Sequence, residues 1–320
     1  MDLLLAFITL ILILGSAQGQ GNLAVGFYSR TCPNAERIVA SVVQEAVRAD
    51  PRKAAMLLRL HFHDCFVQGC DGSILIEGND QTEMHADGHQ GLGGFEVIEK
   101  AKAQLEATCR GVVSCADIVA MAARDSVALS NGPFYQVPTG RRDGRLSNKS
   151  FAAQMPEVNE PVQSFKAKFF QKGLSQKDLV VLSAAHTIGT TACFFMPHRL
   201  YEFPVFSSDP TINPAFLPEL KKICPEHGDI NTRLAMDHGS ELTFDDNIFR
   251  NIRDGFAVLE SDAKLYTDPI TRAIIDSYLM DFVFKPSFAK DFAESMVKMG
   301  RIDVKTGSQG EIRRICKSFN

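Results

Sequence analysis

One stretch, Arg59-Leu60-His61-Phe62-His63-Asp64-Cys65-Phe66-Val67-Gln68-Gly69-Cys70-Asp71-Gly72-Ser73, constrains the fold of this chain more than any other. Its first half has helical spacing: Arg59 and His63 stand four residues apart on one face, with Phe62 beside them. Asp64 then lies about 100° round the axis, at 3.6 residues per turn. The helix must end in a Cys-x4-Cys pair that encloses Gly69, and the oxygen-bearing residues Asp71 and Ser73 follow at once. A fixed cation, a titratable base and an oxygen-rich loop are thus held in one short segment.

The two cysteines of this stretch belong to a set of eight: Cys32, Cys65, Cys70, Cys109, Cys115, Cys193, Cys224 and Cys316. An even number in an exported chain implies disulfides, although spacing leaves the partners open. Export is indicated at the N-terminus. Met1 to Gly19 holds an apolar run, Leu3 to Leu14, and then the small residues Ala17 and Gly19, which reads as a signal peptide that leaves Gln20 as the mature start. The run is shorter than the roughly 20 residues a membrane span needs. Asn148-Lys149-Ser150, the only Asn-x-Ser/Thr sequon, marks Asn148 as a candidate glycosylation site on a surface loop.

With 34 Lys+Arg against 38 Asp+Glu, the chain has no charge excess suited to nucleic acid. A hydrophobic content of 45% supports a large core, and no repeat or Pro/Ser linker divides residues 20–320, so one catalytic domain is expected. Apolar positions recur at helical intervals in Pro33–Asp50, Ser114–Leu129, Ser175–Ala185, Asp245–Ile252, Thr271–Phe282 and Ser287–Met299. Strand alternation is scarce. The fold class is all-α, with long Gly-, Pro- and Asn-rich connections of the kind that carry function.

One further histidine has strong context: His186, in Ser183-Ala184-Ala185-His186-Thr187-Ile188-Gly189. His61 faces away from Arg59 and reads as structural. These residues by themselves allow a redox site, or a zinc hydrolase built on His61, His63 and His186.

The opening stretch, Leu182 to Gly189 and Thr243-Phe244-Asp245-Asp246-Asn247 resemble the secretory plant, or class III, haem peroxidases. The likeness covers essentially the whole mature chain, from Phe27-Tyr28-Ser29-Arg30-Thr31-Cys32-Pro33 through Val113-Ser114-Cys115-Ala116-Asp117 and Gly140-Arg141-Arg142-Asp143 to Gly310-Glu311-Ile312-Arg313-Arg314-Ile315-Cys316. It implies the haem peroxidase fold, with one haem b held between two helical lobes. His63 matches the distal histidine, a general base and then a general acid toward hydrogen peroxide. Arg59 matches the cation that stabilises charge developing as the O–O bond breaks. Phe62 would wall off the iron so that donors meet the haem edge. His186 matches the axial ligand, and Asp262 the carboxylate bonded to its other nitrogen.

The resemblance also implies two calcium ions, a hard cation suited to clustered oxygens. The distal set is Asp64, Val67, Gly69, Asp71 and Ser73, with Glu83 as its water-linked acid. The proximal set is Thr187, Asp237, Ser240, Thr243 and Asp245. The implied disulfides are Cys32–Cys109, Cys65–Cys70, Cys115–Cys316 and Cys193–Cys224. Asp117 and Arg141 match a buried ion pair, Pro156 the aromatic-donor entrance, and Phe195 is grouped with it as a residue lining that access.

One position departs from the family. Where an asparagine usually accepts the distal histidine's Nδ–H, this chain has His89, with His85 as the neighbouring alternative; Gly93 stands where an arginine is usual. A neutral imidazole can accept that bond and an imidazolium cannot. His89 is therefore expected to orient His63 when neutral, giving activity an acid limb in histidine's ordinary range.

The expected activity is reduction of hydrogen peroxide to water with two one-electron oxidations of phenolic donors, by a secreted monomer with no nucleic-acid or membrane partner. Cell-wall phenolic cross-linking and oxidative stress response are the implied settings, and the short run after Cys316 favours secretion over vacuolar targeting. The rival reading is a catalytically silent haem- and calcium-containing wall protein.

Overall fold

The computed structural model describes residues 23–205, 207–281 and 285–320. The expected signal peptide, residues 1–19, and the end of the predicted helix at Phe282 lie outside them.

The core is built on two helices buried over most of their length, polar side chains included, α2 (Lys53–Gln68) and α4 (Cys115–Leu129). Among the described residues these two make the most extensive helix contact. Burying one side chain such as Leu57 or Leu60 contributes about 1.5–3 kcal/mol. One face of the pair is covered by α1 (Ala35–Ala49) and α3 (Phe95–Thr108), through Val39, Val43, Ile98 and Leu105. The other face joins a larger cluster from α5 (Val162–Gln171), α6 (Gln176–Ser183), α9 (Asn247–Asp254), α11 (Pro269–Leu279) and α12 (Phe288–Met299). There Phe244 stacks on Phe288 and Phe249 on Tyr278, with ring centroids 5.1 and 4.9 Å apart. A satellite cluster gathers α7 (Pro197–Leu200) and α8 (Leu217–Ile223) around Leu200, Phe216 and Leu234. The remaining helix of this half, α10 (Glu260–Leu265), has six residues.

The fold is thus mostly helical, as expected, with two lobes meeting at α2. Among the described residues one sheet is present, the antiparallel pair β1 (Thr190–Ala192) and β2 (Arg233–Ala235), in which Ala192 faces Arg233. Helix boundaries fall close to those expected, with two instructive shifts. The segment Ser175–Ala185 stops being α-helical at Ser183 and tightens into a 3-10 turn, Ala184–Thr187, which carries His186. The helix expected from Asp245 starts at Asn247, whose N–H donates to the Asp245 side chain ahead of the helix.

The four implied disulfides are present, Cys32–Cys109, Cys65–Cys70, Cys115–Cys316 and Cys193–Cys224, each within one of the three clusters. The buried Asp117–Arg141 pair, 2.8 Å, binds α4 to the segment after it. Every polar atom of the pair is used: Asp117 also accepts from Tyr28 Oη at 2.6 Å, and Arg141 donates to the Gly300 carbonyl at 2.9 Å.

Candidate active site

On α2, Arg59, Phe62 and His63 share the face turned toward the seam between the lobes. His63 is buried, and burial together with the Arg59 charge holds its pKa well below the usual histidine range. Its imidazole is therefore neutral. Arg59 donates to the carbonyl of Gln90 at 3.1 Å and lies near that of Gly88 at 3.4 Å. It has no carboxylate partner among the described residues, and burial, aided by the charge of Arg233, lowers its pKa to about 10. At neutral pH it is still a cation. Phe62 stands edge-on to His63, centroids 5.5 Å apart, and leans on Phe66 and Phe169.

Across the seam, His186 lies near enough to His63 to disfavour a proton on it. Its Nδ1 meets both oxygens of Asp262 at 3.0 Å. Asp262 is buried in the first turn of α10, not in a solvated loop. A carboxylate can only accept, so Nδ1 carries a proton and Nε2 is the nitrogen that could ligate. The His186 side chain is 34% exposed while its anchor is 1% exposed, so the free nitrogen is on the accessible side. An imidazole braced by an anion, facing a neutral imidazole beside a guanidinium with no carboxylate partner among the described residues, is a donor set that fits a haem iron and its peroxide substrate.

The distal acids are crowded beneath α2. Asp64, Asp71 and Glu83 are all buried, and Oδ1 of Asp64 and Oε1 of Glu83 have no partner. Burial and then the neighbouring carboxylates raise Asp64 and push Glu83 to about 9, as expected for carboxylates buried close together. Ser73 donates to Glu83 at 2.9 Å. The carbonyl of Val67 accepts from Lys172 at 3.2 Å, and Lys305 bonds Asp71. Gly69 ends α2 with φ +90°, where any Cβ would strike the carbonyls of Ile302 and Asp303. The proximal oxygens converge more tightly. The Thr187 hydroxyl is 3.1 Å from Asp237 and 3.4 Å from Asp245, Ser240 is 2.8 Å from Asp237, and the Thr243 carbonyl is 3.5 Å from Thr187. Among the described residues, the one mutually close group of His, Cys, Asp and Glu ligand atoms is His61, Cys65 and Cys70. Its sulfurs are in a disulfide and cannot ligate, so the three-histidine zinc reading has no geometric support. His61 is buried against Cys65 and Arg141, and burial lowers it to about 3.

His89 lies beside His63, ring centroids 4.9 Å apart, while His85 is at the surface bonded to Thr82. Burial lowers His89 to about 4, which corrects the expectation that it titrates in histidine's ordinary range. Pro156 is half-buried after the turn Lys149–Gln154, which packs on α2, and Asn148 is exposed at the start of that turn. Phe195 packs edge-on to Phe194. Two contributors escaped sequence reasoning. The carbonyls of Gly88 and Gln90, which hold Arg59, carry no side-chain signal. Arg233 reaches the site only because β2 pairs with β1, where it donates to the Thr190 carbonyl at 2.6 Å.

Comparison with known proteins agrees with this geometry. A family model described as peroxidase matches residues 39–281. The chain is 62% identical over 302 residues to Peroxidase 43 of Arabidopsis thaliana, covering 93% of each chain. It is 55% identical to Peroxidase 13 of the same plant, covering 93% of each, and 50% identical to Peroxidase N1 of Nicotiana tabacum, covering 94% of this chain and 92% of that one. The chain belongs to the peroxidase family, among its plant class III members. It is accordingly an enzyme with haem as its prosthetic group, acting on hydrogen peroxide and small-molecule donors.

Proposed function

We propose that the chain is a secreted monomeric peroxidase, residues 20–320 after removal of the signal peptide, that uses hydrogen peroxide to oxidise phenolic donors outside the cell. One peroxide and two phenols give two waters and two phenoxyl radicals, and radicals that leave the enzyme can couple in the wall. The observation that carries this reading is the His186–Asp262 contact at 3.0 Å to both oxygens, facing a neutral His63 beside Arg59. His186 Nε2 would hold the iron, and Asp262 would make that nitrogen a stronger donor. Bound there, haem would supply the electrons that reduce peroxide and recover them one at a time from donors.

The remaining work falls to this chain's own side chains. His63 Nε2 takes the proton from one peroxide oxygen and delivers it to the other as that oxygen departs as water. Arg59 offsets the negative charge that builds on the departing oxygen. Phe62, supported by Phe66 and Phe169, keeps donors from the interior, and Pro156 with Phe195 would border their approach. Calcium is proposed at both oxygen clusters: the unpartnered buried carboxylates of Asp64 and Glu83 favour a cation in the distal loop, and the convergence of Thr187, Asp237, Ser240, Thr243 and Asp245 favours one in the proximal loop. Four disulfides and an exposed Asn148 sequon suit an exported glycoprotein. Among the described residues no helix is long and apolar enough to cross a membrane.

Reconstituted protein should show a Soret band, a pyridine haemochrome spectrum of haem b, and turnover of guaiacol and syringaldazine. Haem binding without turnover would favour a silent wall protein, and failure to bind haem would overturn the reading.

A further inference from the structure

Two buried nitrogens in the site have no hydrogen-bond partner, and they belong to adjacent rings: Nδ1 of His63 and Nε2 of His89. A buried polar atom left unpaired is destabilising, and catalytic hydrogen bonds are often long until substrate is bound. The two rings stand edge to face, 76° apart in plane, with centroids 4.9 Å apart. From this pairing of orphans we infer that His89 is the positioning residue of His63, accepting its Nδ1–H and so fixing which nitrogen of His63 is free to act as base. The inference deepens the peroxidase reading and rests on it.

The other end of His89 determines the direction of the bond. Its Nδ1 lies 2.8 Å from the carbonyl oxygen of Glu83. A carbonyl only accepts, so His89 carries its proton on Nδ1 and, being neutral, presents a bare Nε2. A bare nitrogen beside His63 needs a donor, and the available donor is His63 Nδ1–H. His63 is then left with its lone pair on Nε2, the state required of the peroxide base. The groups facing His89 are the Glu83 carbonyl, the Arg59 cation and the His63 ring; the cation disfavours a second proton on His89. The chain of bonds runs from a backbone carbonyl through two imidazoles, each in the same tautomer. Its outer end is also tied to the distal oxygen cluster, because the Glu83 side chain accepts from Ser73 and its N–H donates to Ser147. An asparagine at this position reproduces the pattern, donating to Glu83 through its amide and accepting from His63 through its oxygen. A leucine supplies neither bond.

Proton–nitrogen correlation NMR on histidine-labelled protein loaded with diamagnetic zinc protoporphyrin reads the tautomers without reference to activity. At neutral pH both His63 and His89 should be protonated on Nδ1 alone. His89→Leu should leave His63 a mixture of tautomers and slow the reaction of the haem enzyme with peroxide on the order of a hundredfold, with KM for the phenol unchanged; His89→Asn should restore the single tautomer and most of the rate. An Nε2-protonated His89 in the wild-type protein would overturn the inference, as would a His89→Leu enzyme of unaltered tautomer and rate. If His89→Leu does not fold, the wild-type spectrum still decides. Wild-type enzyme that shows the expected tautomers yet reduces no peroxide would defeat the functional reading and leave the tautomer assignment standing.

Discussion

Asp117 shows how much a single buried charge can hold. It accepts from Tyr28, from the backbone N–H groups of Gly140 and Arg141, and from the Arg141 guanidinium, all in the interior. Asp117→Asn leaves Arg141 buried with no anion, and its expected cost is about 3–5 kcal/mol, measurable as a lowered denaturant midpoint at unchanged slope. A second expectation concerns protons at His89. Its folded pKa is lowered to about 4, so the neutral acceptor persists through the weakly acidic range and is lost only as pH falls through about 4. The peroxide reaction of calcium-saturated enzyme should therefore keep its rate down to that region, and the acid limb should change in His89→Asn; a limb centred on the ordinary histidine range would contradict the burial argument. The same shift implies that folding stability is full above the unfolded histidine value and declines as pH drops toward the folded one. The Arg59 and His63 pairing was legible because i,i+4 spacing is a local property of one helix. The His186–Asp262 bond joins residues 76 apart, so without the family resemblance the sequence left Asp262 as a loop acid.

At the level of elements, the helix that leads to His186 is defined at its start and released at its end. Ser175 caps α6 by accepting from Asp178 N–H at 3.1 Å, and Asp178 accepts in return from Ser175 N–H at 2.7 Å. Ser295 and Lys298 on α12 complete the Asp178 shell. Ser175→Ala should cost about 1 kcal/mol, seen as a lower thermal midpoint with the Soret position unchanged. The helix itself was legible from its apolar spacing. The tightening at Ala184 was not, since 3-10 and α turns share composition. It also explains why His186 departs from the stripe of Leu179 and Leu182: a tighter turn re-aims the side chain. The six-residue α10 and the three-residue strands are too short for periodicity to register.

For the whole molecule, the two oxygen clusters sit on either side of the seam, each next in sequence to one of the histidines proposed to act on peroxide or iron, at His63/Asp64 and His186/Thr187. Removing calcium should loosen both lobes where they meet the haem. Dialysis against a chelator is expected to lower the thermal midpoint and broaden the Soret band, with recovery on adding calcium and none on adding magnesium, whose smaller octahedral shell does not suit mixed carbonyl and carboxylate loops. A chelated enzyme of unaltered midpoint and spectrum would count against both sites. The lobed helical architecture was legible from the apolar periodicity and the resemblance together; the seam was not, because it arises only when distant helices pack on α2.

The bridge from Cys115 to Cys316 spans 201 residues of sequence, and the segment it anchors also supplies Arg313, which donates to the Gly72 carbonyl at 2.6 Å and lies 3.3 Å from that of Asp71. At roughly 5–20 residues per second, translation needs on the order of ten to forty seconds to travel from one cysteine to the other. Throughout that interval α4 waits with an unpaired thiol, and the turn after Cys70 lacks the guanidinium that steadies its backbone. The part of the active site encoded first is thus among the last to be completed.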